Sequence, residues 1–88
     1  MQSVQEVRNW LKETLTGLVD DPHRVEVDLV EGKQAVIFEV VVAPRDIARV
    51  IGRKGQTADA IRSILTGMAG KLQSGQRFQL EILEPENV

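Results

Sequence analysis

The 88-residue sequence has no cysteine. Disulfides, thiolate metal sites and thiol redox chemistry are therefore excluded. Tyrosine is also absent, and the aromatics number only three: Trp10, Phe38 and Phe78. Stacking platforms for bare nucleobases need exposed aromatic rings, worth about 1–3 kcal/mol per base, so a sheet-borne aromatic reader of RNA is not expected. The single histidine, His23, follows Pro22 in a turn-like stretch, which suits a solvated residue better than a catalyst. No apolar run approaches the roughly 20 residues that span a bilayer. Met1-Gln2-Ser3-Val4-Gln5-Glu6 has neither the basic start nor the apolar stretch of a signal peptide, so a cytoplasmic location is expected. The carboxylates are scattered, and Gly52-Arg53-Lys54-Gly55-Gln56-Thr57 does not fit the spacing of a nucleotide-binding P-loop. We expect no catalytic residue, no metal, no cofactor and no small-molecule substrate.

Eighty-eight residues make one domain, placed at residues 1–84 with a short polar tail at 85–88. A chain of this size buries about 65% of its unfolded surface, enough to fold alone with a modest margin. Its net charge of −2 conceals an uneven distribution. From Arg45 to Arg62 there are five cations (Arg45, Arg49, Arg53, Lys54, Arg62) against two acids, Asp46 and Asp59. Positive charge is thus gathered in one segment of an otherwise acidic body. A solvated helix face could collect such charge without any partner, so the local structure has to decide.

Spacing predicts the elements. Val4, Val7, Leu11, Leu15 and Leu18 mark one face of a helix from about Val4 to Val19, with Ser3 and Glu6 at capping-box spacing and Asp20-Asp21-Pro22 as its stop. Trp10 lies beside that face, as a core or flanking residue. Arg24 to Val30 alternates as a half-buried strand, Glu31-Gly32-Lys33-Gln34 reads as a hairpin turn, and Ala35 to Val42 is an almost unbroken apolar strand. Such a run predicts a central strand covered on more sides than its neighbours. Pro44 suits the first position of a helix over Arg45 to Ile51. A longer helix is expected from about Gln56 to Ala69, stopped by Gly70, with Ala58, Ile61, Leu65 and Met68 buried and Ile64 alongside. After Gln73-Ser74-Gly75, Arg77 to Leu83 alternates as a last strand with Phe78, Leu80 and Ile82 inward. The two hairpin strands pair antiparallel, and the two-helix connection lets the third pair parallel with the second by a right-handed crossover. The expected fold is an α+β two-layer sandwich, order α-β-β-α-α-β, with a three-stranded mixed sheet and three helices on one face.

The informative stretch is Val50-Ile51-Gly52-Arg53-Lys54-Gly55-Gln56-Thr57-Ala58. Two glycines allow a sharp bend and close approach of a ligand to bare backbone. The first amides of the helix that follows suit an anion. Arg53 and Lys54 must project from the tip. A bare G-x-x-G is common, but one set between two short amphipathic helices is more specific.

The run Ile47-Ala48-Arg49-Val50-Ile51-Gly52-Arg53-Lys54-Gly55-Gln56-Thr57-Ala58-Asp59-Ala60-Ile61-Arg62 resembles the signature of a K-homology (KH) domain, and the element order matches the type II arrangement. Nearly the whole chain is covered, and the stand-alone form is similar to the small bacterial KhpA family. The resemblance implies single-stranded RNA as a partner, with Gly52, Arg53, Lys54 and Gly55 as a backbone clamp for about four nucleotides. It places Arg49, Val50, Ile51, Thr57 and Arg62 at the rim or floor of a groove for bases. It further implies self-association, a larger KH-containing partner protein, and work as a post-transcriptional regulator or RNA chaperone. The lack of stacking groups points to weak binding of low sequence specificity. The alternative is a protein-interaction module whose KH shell has little affinity for RNA.

Overall fold

A computed structural model describes residues 3–73 and 75–84. The N-terminal Met1-Gln2, Ser74 in the last connection and the polar tail at 85–88 lie outside the described residues. Three strands, β1 (Glu26–Glu31), β2 (Ala35–Val41) and β3 (Arg77–Ile82), form one mixed sheet in the order β1-β2-β3. Strand β1 pairs antiparallel with β2, and β2 pairs parallel with β3. Helices α1 (Val4–Thr16), α2 (Ile47–Ile51) and α3 (Gln56–Leu72) complete the expected α-β-β-α-α-β order. The fold is the α+β two-layer arrangement of a type II KH domain.

One face of the sheet makes the core. Val27 on β1, Val36, Phe38 and Val40 on β2, and Phe78 and Leu80 on β3 all turn inward and are buried. They meet Val7, Leu11 and Leu15 of α1 and Ala58, Ile61 and Leu65 of α3. Burying each large aliphatic or aromatic side chain stabilises the fold by about 1.5–3 kcal/mol, which is why the period-2 and period-3.6 patterns select these faces. Phe38 and Phe78 meet edge to face with ring centroids 5.2 Å apart. Trp10 is partly buried against the same cluster. None of the three aromatics is left as an open platform.

The structure corrects three expectations. Helix α1 ends at Thr16, short of Val19. The Gly17 N–H bonds back to Glu13 and Thr14, and the Leu18 N–H to Leu15, so the last turn tightens and Leu18 is left 40% exposed. The segment before the glycine turn is not one helix: Pro44–Asp46 is a 3₁₀ turn, and α2 covers only the five residues that follow. Gly70 does not stop α3, which runs through it to Leu72 and ends on Gln73 in the left-handed region (φ 54°). A mid-helix glycine costs only about 1 kcal/mol, which the packing of Leu65 and Leu72 outweighs. Strand β2 is central as expected, paired on both edges, and its residues alternate between buried and partly exposed because the helices cover one face.

Candidate functional site

Helix α2 leads directly into the glycine turn. Its last bond runs from the Gly52 N–H to Ala48 O (2.9 Å), after which Gly52 takes φ 80°, ψ 171°. That region is essentially reserved for glycine. A β-carbon there would lie 2.2 Å from Thr57 Oγ1 and 2.8 Å from the Thr57 amide nitrogen, so the turn is closed by Thr57 packing on the bare Cα. Arg53–Gly55 then forms one 3₁₀ turn, fastened by the Gly55 N–H to Gly52 O at 3.1 Å. Lys54 and Gly55 both sit at positive φ (54° and 77°). A left-handed lysine costs roughly 1–2 kcal/mol, which marks this turn as held in shape by its surroundings. Gly55 serves as the N-cap of α3 and offers no capping side chain, while the Gln56 N–H bonds back to Arg53 O. The positive end of a 17-residue helix therefore lies directly behind a turn that carries two exposed cationic side chains.

Three acids and two arginines sort the local charge. Asp46 is fully buried, and its carboxylate accepts from the Asp20 and Asp21 backbone amides at 3.1 Å each, with Arg49 Nε 3.4 Å away. Arg49 also donates to Asp20 Oδ2 at 3.0 Å. Arg62 pairs with Asp59 at 3.2 Å on the surface of α3. Among the described residues, Arg45, Arg53 and Lys54 have no ion pair. The two acids of the segment are thus spent on Arg49 and Arg62, and the uncompensated charge lies at the turn and just before α2. Both surface pairs are about half exposed, so each is weak and readily exchanged for another anion.

Of the sequence-predicted site residues, Gly52, Arg53, Lys54 and Gly55 form one turn, with Arg53 and Lys54 exposed. Ile51 and Thr57 flank it, partly exposed. Val50 has no exposed surface and belongs to the core beneath the turn. Arg49 lies before the turn and Arg62 beyond it, both exposed.

The chain's identity follows from comparison. A family model described as the KH domain of KhpA and KhpB matches residues 8–82. The chain belongs to the KhpA/KhpB KH-domain family. Curated members of that family are similar over most of their length. The RNA-binding protein KhpA of Aquifex aeolicus is 42% identical over 71 residues, which is 81% of this chain and 87% of that protein. The namesake from Clostridium acetobutylicum is 42% identical over 77 residues, 88% of this chain and 100% of the relative. The one from Chlamydia caviae is 35% identical over 78 residues, covering 89% and 97%.

Two parts of this KH domain escaped the sequence. Asp46 looked like one acid among five cations, yet it is the buried clamp that ties the 20–21 connection to the start of α2. Its only local signal is its place two residues after Pro44, where a tight turn can draw a side chain inward. The second is an open cleft of about 620 Å³ between the C-terminal half of α3 and the start of β3, with Thr66, Ala69, Gly70 and Phe78 in its lining. Gly70 was the available signal, because a small residue leaves room beside a helix. Among the described residues no group of histidine, aspartate and glutamate side chains is arranged to hold a metal ion, and no helix is long and apolar enough to cross a membrane.

Proposed function

We propose that the chain binds single-stranded RNA, with the Gly52–Gly55 turn gripping the sugar-phosphate backbone of about four nucleotides. The observation that carries this reading is the pair of exposed side chains of Arg53 and Lys54, without an ion pair among the described residues, on a glycine-closed turn at the start of a 17-residue helix. The name RNA-binding protein borne by relatives at 35–42% identity supports it. Ile51 and Thr57 form the rim next to the turn. Arg49 and Arg62 exchange their carboxylate partners for phosphate, and Val50 supports the turn from below. Bases extend along α3 toward the cleft beside β3.

With all three aromatics engaged in or against the core, the grip is weak and of low sequence specificity. About three neutralised phosphates on a single strand give a log–log salt slope of about −2, with micromolar affinity for one copy. Self-association or a larger KH-containing partner raises that through effective concentration. Such a protein acts in the cytoplasm as a post-transcriptional regulator or RNA chaperone.

The test is the double substitution Arg53→Asp, Lys54→Asp, read by fluorescence anisotropy on single-stranded RNA across a salt series. Binding should fall below detection with the far-UV spectrum and melting temperature intact. Unchanged binding and slope in the double variant would remove the turn from the interface. A wild-type chain without salt-sensitive RNA binding would leave the protein-interaction module as the better reading.

A further inference from the structure

Strand β2 carries an apolar, β-branched sequence on both of its faces, and the helices cover only one. On the open face lie Ala35, Ile37, Glu39 and Val41, each partly exposed. Register places Val30 of β1 opposite Ile37, and Glu26 opposite Val41. Val30 is 46% exposed and Leu83, just past β3, is 36% exposed. A solvated sheet face ordinarily turns polar residues outward. Across the middle of this one runs a row of like charge: Asp28 faces Glu39, and Glu39 faces Glu81. Like charges directly opposite on neighbouring strands are destabilising. The isolated chain gains from neither feature, since its apolar residues stay in water and its carboxylates repel one another.

We propose that this open sheet face docks a basic amphipathic helix of a partner protein. Three strands about 4.8 Å apart, two of six residues and one of seven, make a face about 14 Å by 20 Å. One helix, roughly 10 Å across, fills that area. The helix would set its apolar stripe over Val30, Ile37, Val41 and Leu83 and its lysines or arginines over Asp28, Glu39 and Glu81. A second copy docking through the same face would oppose carboxylate row to carboxylate row, and RNA would meet the same repulsion. The small footprint makes the contact a weak, exchanging one. It lies across the sheet from α2 and α3, so it is independent of the RNA reading and compatible with it.

Photo-cross-linking in cells that make the chain natively tests this, with p-benzoylphenylalanine in place of Ile37 in the full chain and the adducts sequenced by mass spectrometry. The captured segment should come from another protein, repeat its apolar residues at helical spacing and carry net positive charge. Capture should drop at least about fivefold when Glu39→Lys and Glu81→Lys are added, because complementary charge is reversed. It should be unchanged by Arg53→Asp, Lys54→Asp. Adducts with a second copy, with RNA or with a neutral or acidic segment overturn the proposal, as does capture no greater than from a probe at exposed Glu13. Glu39→Gln by itself, measured by thermal melt, should raise the midpoint by about 1–5 °C through relief of the row. A lowered midpoint would show the carboxylates serving the isolated fold, and the proposal would fail.

Discussion

The two glycines of the turn look equivalent in the sequence and should behave very differently when each is replaced by alanine. At Gly55 (φ 77°, ψ 10°) a β-carbon meets nothing within 4 Å, so only the left-handed backbone opposes it. That penalty is about 1 kcal/mol. At Gly52 the backbone lies in a region that alanine scarcely visits, which costs up to about 3 kcal/mol. The new methyl would also overlap Thr57 Oγ1, Cβ and amide nitrogen at 2.2, 2.7 and 2.8 Å. An 88-residue domain has an unfolding entropy near 0.18 kcal/mol/K, so each kcal/mol shifts the midpoint by about 5 °C. Gly55→Ala should therefore lower the melting temperature by about 5 °C and Gly52→Ala by about 15 °C or more. Adding Thr57→Ala to Gly52→Ala removes only the hydroxyl overlap, so it should recover little. The assay is thermal unfolding followed by circular dichroism at 222 nm. Equal effects of the two single substitutions, or full rescue by Thr57→Ala, would refute the account of how the turn is closed.

Two further predictions concern the framework. Asp46→Ala should destabilise by about 2–4 kcal/mol, because it strands two amide donors and leaves Arg49 with Asp20 alone. Asp46→Asn should cost less, since one carbonyl oxygen can still accept; urea denaturation of both variants checks the order. Gly70→Ala should stabilise by about 0.5–1 kcal/mol, as the residue lies inside α3 with nothing within 4 Å of its added methyl. A thermal melt should show a gain of about 3–5 °C.

The strands were legible because burial on one face imprints period 2, and Val27, Phe78 and Leu80 follow it. The glycine turn was legible because its backbone demands glycine at Gly52 and favours it at Gly55, and charge cannot hide in so short a loop. What escaped depends on contacts distant in sequence. Gly70 carries a local stop signal that the packing of α3 on β3 overrides. Asp46 is buried only because the Asp20 and Asp21 amides, more than twenty residues away, converge on it. The cleft is likewise made by two elements that meet only in the folded chain. The full apolar run of β2 was read correctly as central, flanked by a strand on each edge; which of its two faces the helices would cover depends on packing that the run itself does not display.

The parallel pairing of β2 with β3 has a consequence for synthesis. The strand that completes the sheet leaves the ribosome only after α2, the glycine turn and α3 have emerged. Phe78 and Leu80 supply one side of the core on which α3 rests. A nascent chain halted before Arg77 thus carries every residue of the turn but lacks the support that shapes it. Closing the sheet requires bringing β3 back past 35 intervening residues, and such distant pairings form late. The Gly52–Gly55 turn therefore takes its final shape only once β3 has joined the sheet, and fragments that stop before Arg77 do not form it.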